Sequence, residues 1–150
     1  MRKGKRAYIC GPLTELPVQD QLAVKNFYSR IADACEETTG LRAFVPHEHY
    51  DPVRSPHFTP QEVDGAERDQ VCNKTSVLIV VAIAPSWGGG IGVEMARANG
   101  VPVIILRPKG KKLSRLLLGN KGVVMVIDYD NETQAFNLLK DAVSKVLQPA

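Results

Sequence analysis

The chain lacks any segment that would anchor it in a membrane or direct it to secretion. Its longest uninterrupted apolar run, residues 77–85, is far too short to span a bilayer. The basic residues 1–6 lead directly into a predicted strand and contain no apolar signal core or cleavage site, so secretion is not expected. The sequence therefore predicts a cytoplasmic protein that has no membrane partner.

Cysteine is scarce, and the histidines form no metal-binding motif. The three cysteines are odd in number and widely spaced, which matches neither a disulfide framework nor a zinc pattern and fits a reducing compartment. Residues 47–49 (HEH) look like metal ligands, but they lack the helical HExxH spacing. We therefore expect neither a metal ion nor an organic cofactor.

Excess charge and the common nucleotide-binding motifs are also missing. The net charge of +3 at pH 7 is too small to predict a nucleic-acid polymer as the partner. The basic cluster at residues 107–115 is either a solvated loop or a region that steers an anionic substrate. The chain has no GxxxxGK[ST] sequence, and no GxGxxG follows its first predicted strand, which disfavours the usual dinucleotide-binding fold.

What the chain does have is a regular alternation of strand-type and helix-type runs, at a length of 150 residues that fits one domain spanning residues 1–150. Strands are predicted at residues 6–10, 41–45, 77–82, 102–106 and 123–129. Helices are predicted at residues 18–37, 60–74, 92–99, 113–118 and 132–147. This pattern predicts an α/β fold, a doubly wound, flavodoxin- or Rossmann-like parallel sheet of five strands in the order 2-1-3-4-5.

In that order the first and third predicted strands are neighbours, and a ligand would bind between their carboxyl ends. The loops that follow these two strands contain glycines and hydroxyl side chains, which serve either as turn residues or as phosphate ligands. Glycines allow a close backbone approach, and the N–H groups at a helix start bind anions. The candidate phosphate-binding residues are Gly11, Thr14, Ser86, Gly88, Gly89, Gly90 and Gly92.

Three side chains could supply chemistry at the same crevice. Glu94, predicted in the first turn of its helix, is either a complement to the helix dipole or an ionised nucleophile for an electrophilic carbon. Asp69 is either a surface acid beside Arg68 or the second carboxyl group that glycosidic cleavage requires. Tyr8 is either a core aromatic residue or a hydroxyl donor that orients Glu94.

These segments resemble the nucleoside 2-deoxyribosyltransferase superfamily, and especially its 2′-deoxynucleoside 5′-phosphate N-hydrolase branch. The resemblance covers nearly the whole chain, and its specificity comes from the order and spacing of the motifs together. The motifs are YICG at 8–11, EH at 48–49, ERD at 67–69, APS at 84–86, GVE at 92–94, LS at 113–114 and DY at 128–129.

The resemblance implies a catalytic role for each of the three side chains. Glu94 would attack C1′ of the sugar, Asp69 would protonate or hydrogen-bond the leaving base, and Tyr8 would orient the nucleophile. The products would be free base and (deoxy)ribose 5-phosphate, formed with retention through a covalent glycosyl-glutamate and without a cofactor.

The resemblance also implies how a nucleotide substrate would be held. Ser86 and the glycine-rich segment would cradle the 5′-phosphate, and His49 would be a further substrate-binding residue. Ser114 would contact the phosphate from the neighbouring subunit, which implies a homodimer with composite sites. The chain departs from the hydrolase branch in having Pro12 after Gly11 and in its longer segment 86–94.

Two other functions stay open on the sequence. A nucleoside 2-deoxyribosyltransferase would pass the sugar from one base to another through the same intermediate. A non-catalytic nucleotide-binding or sensing module could use the same fold, because a fold does not establish a function. The cytokinin-activating phosphoribohydrolases, with their PGGxGTxxE motif, match residues 85–94 only loosely.

Overall fold

The computed structural model describes residues 4–148 and shows an α/β fold built on one parallel sheet. The four strands lie in the order β1-β2-β3-β4. The elements are β1 (Arg6–Cys10), α1 (Val18–Thr39), α2 (Pro46–Tyr50), α3 (Pro60–Lys74), β2 (Thr75–Val81), α4 (Trp87–Ala98), β3 (Val103–Pro108), α5 (Arg115–Leu118), β4 (Val123–Tyr129) and α6 (Glu132–Leu147). Within residues 4–148, no helix is both long enough and apolar enough to cross a bilayer.

The prediction of five strands in the order 2-1-3-4-5 is wrong, because the segment 41–45 does not form a strand. Only Phe44 makes a parallel bridge, to Tyr8. Two backbone hydrogen bonds hold this bridge, from Ile9 N to Phe44 O (3.0 Å) and from Phe44 N to Ala7 O (2.8 Å). The helix α2 then begins at once and carries the chain away from β1, so no further ladder pair forms beside this edge.

The central strand β2 is buried along its whole length, as expected for a parallel sheet that helices cover on both faces. One face packs against α1 and α6, and the other packs against α3 and α4. Because side chains alternate along a strand, Ile9 of β1 faces the first pair of helices. Tyr8 and Cys10 face the second pair.

A reciprocal capping box fixes the start of α3. The hydroxyl of Thr59 accepts a hydrogen bond from Glu62 N (3.1 Å), and the carboxylate of Glu62 accepts one from Thr59 N (2.7 Å). A fixed start also fixes which side chains point inward, since they recur every three or four residues. Val63, Glu67 and Val71 share the inward face of α3.

The helix α4 begins at Trp87, whereas the sequence predicted a start near Gly92. The hydroxyl of Ser86 caps the helix by accepting a hydrogen bond from Gly89 N (3.0 Å), and serine is a strong N-cap residue. The glycine-rich stretch 88–92 is therefore helical and not a loop. Glu94 consequently lies beyond the first turn, where the effect of the helix dipole has fallen off.

The turn after β1 is too tightly packed for a side chain at Gly11. A Cβ atom there would lie 2.4 Å from the hydroxyl oxygen of Tyr28 and 3.0 Å from the carbonyl oxygen of Val81. The Tyr28 hydroxyl also donates a hydrogen bond to the carbonyl of Pro12 (2.5 Å).

We expect Gly11→Ala to lower the free energy of unfolding by about 1–3 kcal/mol, measured by urea denaturation.

The matched control is Gly65→Ala, in the middle of α3. A Cβ atom at Gly65 meets nothing within 4 Å, so alanine should stabilise the protein by about 0.5–1 kcal/mol through its higher helix propensity. If Gly11→Ala is as stable as the wild-type chain, the crowding at this turn is not the constraint described here.

Candidate active site

A cavity of about 650 Å³ opens at the carboxyl end of β1, between α3 and the N-terminus of α4. We call it the first cavity. The loop after β1, the helix α2 and the segment 52–58 complete its walls. Ligands of open parallel α/β folds bind at this edge, where the chain leaves two neighbouring strands in different directions.

A second cavity of about 620 Å³ lies on the other side of the α4 N-terminus, at the carboxyl end of β2. Its outer wall is the segment after β3, where Lys111 and Lys112 bring positive charge to the rim. The two cavities share Gly11, Ser86 and Gly89. The first turn of α4 therefore separates the two cavities.

Among the backbone N–H groups of residues 87–90, the first turn of α4, one is left for a ligand. The hydroxyl of Ser86 accepts from Gly89 N, and the carboxylate of Glu15 accepts from Trp87 N (3.3 Å). The N–H of Gly88 has no partner among residues 4–148, as is usual for the first turn of a helix. An anion in the first cavity would meet this donor, but it would also meet the negative charge of Glu15.

A carboxyl group and a tyrosine hydroxyl meet on the opposite wall of the first cavity. Tyr8 of β1 and Glu67 of α3 both line this cavity, and they lie close enough for each group to shift the pKa of the other. Burial raises the pKa of Tyr8 well above its usual range, and the neighbouring carboxyl group of Glu67 adds to this shift. Tyr8 therefore stays protonated and can donate.

Glu67 is a carboxyl group that lacks a compensating cation. Burial raises its pKa above the usual glutamate value, and the nearby Asp64 raises it further, while the Tyr8 hydroxyl partly offsets both effects. No lysine or arginine of the described chain forms a salt bridge with it. Perturbed carboxyl groups of this kind are concentrated at functional sites.

The structure distributes the residues predicted from the sequence among three locations. Tyr8, Gly11, Thr14, Ser86, Gly88 and Gly89 line the first cavity. Gly90, Glu94 and Ser114 line the second cavity. Asp69, His49 and Gly92 line neither.

Glu94 is engaged with a cation at the rim of the second cavity. Its carboxylate accepts hydrogen bonds from the guanidinium of Arg97 (2.6–2.9 Å) and from the amide of Asn120 (3.0 Å). The side chain is 56% exposed, and the hydrogen bonds from Arg97 and Asn120 lower its pKa. Glu94 therefore contacts Arg97 and Asn120. Tyr8, which was predicted to orient Glu94, lines the first cavity, whereas Glu94 lines the second.

Asp69 lies on the outer face of α3. It forms an ion pair with Lys74 (2.6 Å) and accepts a hydrogen bond from the amide of Asn73 (2.7 Å), which together lower its pKa. Successive residues of a helix are rotated by about 100°, so Asp69 points roughly opposite to Glu67. The expectation that Tyr8, Asp69 and Glu94 share one crevice is therefore wrong, and their catalytic roles remain predictions.

The remaining predicted ligands also have local explanations. His49 stacks on Phe44, with ring centroids 4.5 Å apart. Gly92 is buried, and a Cβ atom there would touch the side chains of Leu78 and Cys10. Within residues 4–148, no three histidine, cysteine, aspartate or glutamate side chains lie close enough to hold a metal ion.

Sequence reasoning assigned no role to Glu67 of this site, although the sequence carried a signal for it. Val63, Glu67 and Val71 follow one another at intervals of four residues, which places Glu67 on the same face of the helix as two apolar residues. A carboxyl group in an apolar stripe is unusual and marks a functional candidate.

Several solved structures share this fold over nearly its whole length. BlsM, solved in solution, has a TM-score of 0.68 and 22% identity, covering 98% of this chain and 97% of that one. The Clostridium botulinum CMP N-glycosidase BcmB has a TM-score of 0.67 and 18% identity, covering 92% and 99%. The 2-deoxyribosyltransferase from Bacillus psychrosaccharolyticus has a TM-score of 0.61 and 14% identity, covering 87% and 90%.

Neither a protein-family model nor a curated protein matches the chain. Identities of 14–22% establish the fold and not the activity. The chain therefore has the nucleoside 2-deoxyribosyltransferase-like fold, and the resemblance predicted from its sequence is confirmed at that level.

The raised pKa of Glu67 predicts that the glutamate destabilises the protein at neutral pH. Above the raised pKa the folded protein holds the ionised carboxylate of Glu67 in poor solvation. Each tenfold fall in the acid dissociation constant of Glu67, from the unfolded to the folded chain, lowers the free energy of unfolding by about 1.4 kcal/mol. Below the ordinary glutamate pKa both folded and unfolded chains are protonated, and the effect disappears. We expect Glu67→Gln to unfold at higher urea concentration than wild type at pH 7.

The difference in unfolding urea concentration between Glu67→Gln and wild type should narrow as the pH falls through the raised pKa towards the ordinary glutamate pKa. Glu94→Gln is the matched control, because the pKa of Glu94 is lowered by Arg97 and its loss should not stabilise the protein at pH 7. Equal stability of Glu67→Gln and wild type across the pH range would contradict an unfavourably buried charge at Glu67.

Proposed function

We propose that the protein hydrolyses the N-glycosidic bond of (deoxy)nucleoside 5′-monophosphates, releasing the free base and (deoxy)ribose 5-phosphate. The observation that supports it most is the first cavity, which the carboxyl group of Glu67 and the N-terminus of α4 both line. A phosphate needs a donor such as the Gly88 N–H, and glycosidic cleavage needs a carboxylate near the anomeric carbon. The cavity volume is also in the range of small-molecule sites.

The activities of two structural relatives agree with this chemistry. One is a CMP N-glycosidase and the other is a 2-deoxyribosyltransferase. Both names describe the breaking or exchange of a bond to a pentose, which proceeds through a transition state with positive charge on the sugar ring. A carboxylate at the first cavity would stabilise that charge.

The proposed enzyme is a homodimer in which each subunit completes its partner's site. Ser114 caps the short helix α5 and lies at the second cavity, away from Tyr8 and Glu67. The neighbouring Leu116 is 87% exposed, and a subunit contact would bury it. Ser114 would then reach a phosphate held by the partner subunit.

A second candidate function is base exchange on nucleosides without a phosphate. The observation that favours it is Glu15, whose carboxylate already accepts a hydrogen bond from the first N–H of α4. A carboxylate at this place would accept a hydrogen bond from a free 5′-hydroxyl and would repel a 5′-phosphate. The choice between hydrolysis and transfer depends on whether water or a second base attacks the anomeric carbon of the sugar after the first base has left.

A chromatographic screen for released base tests the function. The purified chain is incubated with deoxy- and ribonucleoside 5′-monophosphates, with the parent nucleosides, and with nucleosides plus a second free base. We expect base release from at least one monophosphate, at a higher kcat/KM than from its parent nucleoside.

Each other result of the screen corresponds to another function. A swapped nucleoside in the mixture with a second base supports the transferase. Tight binding of a nucleotide with no base released over hours supports a binding or sensing module and contradicts the hydrolase.

The charge of Glu15 provides a further test, of whether the 5′-phosphate of the substrate binds at the N-terminus of α4. If a 5′-phosphate binds at the N-terminus of α4, Glu15→Gln removes a like charge and should lower the KM for the monophosphate about fivefold or more. The KM for the parent nucleoside should change less, because a 5′-hydroxyl carries no charge. A KM for the monophosphate that rises in this variant would place the phosphate elsewhere.

A further inference from the structure

Three polar side chains recur along one face of α1, where residues at intervals of three or four lie one above the other. They are Gln21, Lys25 and Tyr28. The first and third donate hydrogen bonds to the carbonyl oxygens of Leu16 (3.2 Å) and Pro12 (2.5 Å), in the loop after β1. The second forms an ion pair with Asp51 (2.6 Å), just after α2. This face of α1 therefore lies behind two walls of the first cavity.

The segment 51–58 depends on Asp51 for its position. The Oδ1 atom of Asp51 accepts hydrogen bonds from Val53 N (2.8 Å) and Arg54 N (3.2 Å), and its carbonyl oxygen accepts one from Ser55 N (2.7 Å). Within residues 4–148, the ion pair with Lys25 is the one polar contact between this segment and another element. Asp51 therefore both folds the segment and attaches it to α1.

The ion pair between Lys25 and Asp51 is largely removed from solvent, with side chains that are 16% and 4% exposed. A buried ion pair adds little stability over apolar side chains of similar volume, although removing one partner alone is costly. Neither residue lines the first cavity, so neither touches a ligand there. The geometry of the pair instead fits a role in holding the wall of the cavity, because side chains at a site stay in place only when the residues behind them are fixed.

The surface that this part of the chain presents to the first cavity is largely apolar. We call it the aromatic wall, and it consists of Tyr50, Pro52, Pro56 and Phe58. The ring of Phe58 meets the ring of Tyr50 edge-on, with centroids 5.0 Å apart, which is a favourable arrangement for two aromatic side chains. A nucleobase has a flat face that stacks on aromatic rings, whereas a sugar phosphate has none. The aromatic wall therefore fits the base of a nucleotide.

We propose that Lys25 and Asp51 are positioning residues, which hold the aromatic wall in place for the base of a bound nucleotide. The choice of a nucleotide as the ligand rests on the proposed N-glycosidase function. The inference adds a role for the buried face of α1, whose side chains have none of the roles predicted from the sequence.

A double variant removes the ion pair without leaving an unpaired buried charge. Lys25→Met replaces the cation with an unbranched apolar side chain, and Asp51→Asn keeps the oxygen that accepts from Val53 N, so the double variant should fold. On a monophosphate that the wild-type chain cleaves, its KM should rise about tenfold or more. Its kcat should stay within about threefold, because the wall binds the base alike before and during the reaction.

The matched control is the double variant Arg30→Met with Glu132→Gln. It removes another ion pair of α1 (2.6 Å), which joins α6 and does not line the first cavity, and its KM should stay within about twofold of wild type. Phe58→Ala removes one ring of the aromatic wall directly. It should raise the KM about tenfold or more, as the loss of base stacking does.

Inhibition by (deoxy)ribose 5-phosphate separates the aromatic wall from the rest of the cavity. This product has no base, so its inhibition constant should agree within about twofold between wild type and the variant that lacks Lys25 and Asp51. Hydrogen exchange at the amides of Val53 and Arg54 should be faster in that variant, because local opening becomes easier. A merely structural role of the ion pair would lower the urea midpoint and leave the KM for the nucleotide unchanged.

The outcomes separate the positioning role from the function. A nucleotide KM within about twofold of wild type in the variant without the ion pair overturns the positioning role and leaves the N-glycosidase function intact. Equal weakening of nucleotide and sugar phosphate also overturns it, because the effect would then not depend on the base. A wild-type chain that binds a monophosphate without releasing base overturns the function alone, and the same ratios are then measured as Kd by calorimetry. A wild-type chain that neither binds nor cleaves any monophosphate overturns both.

Discussion

The parallel pairing of β1 with β2 is the constraint on which the candidate site depends. The register sets Tyr8 opposite Leu78 and Cys10 opposite Val80, and this turns Tyr8 towards α3 and α4. Because the strands are parallel, the turn after β1 and the start of α4 meet at the same edge of the sheet. The N-terminus of α4 and the hydroxyl of Tyr8 therefore line one cavity although they are far apart in the chain.

Helix rotation then decides which carboxyl groups reach that cavity. Glu67 and Asp69 are only two residues apart on α3, yet one meets Tyr8 and the other meets Lys74. On α4, the early start at the Ser86 cap turns Glu94 towards the second cavity. A difference of two positions along the helix is enough to separate a carboxylate in a solvated ion pair from one that is partly buried and unpaired.

Glu67 lowers the stability of the folded protein in a way that the buried carboxylate of Asp51 does not. Glu67 is partly buried and has no cationic partner among residues 4–148. Asp51, which is buried, pairs with Lys25 (2.6 Å) and accepts two backbone hydrogen bonds. Proteins keep such unfavourable groups mainly where they are used, because stability and function compete at active sites.

Local sequence patterns determined the α/β class and the bounds of four of the ten elements. The predicted bounds of β1, α3, β4 and α6 agree with the structure, because apolar periodicity and caps act within a few residues. Tertiary structure alone decided that only Phe44 of the segment 41–45 pairs with β1, and that Glu67, not Asp69 or Glu94, meets Tyr8. Both outcomes depend on the distance and rotation between elements far apart in the chain, which no local pattern specifies.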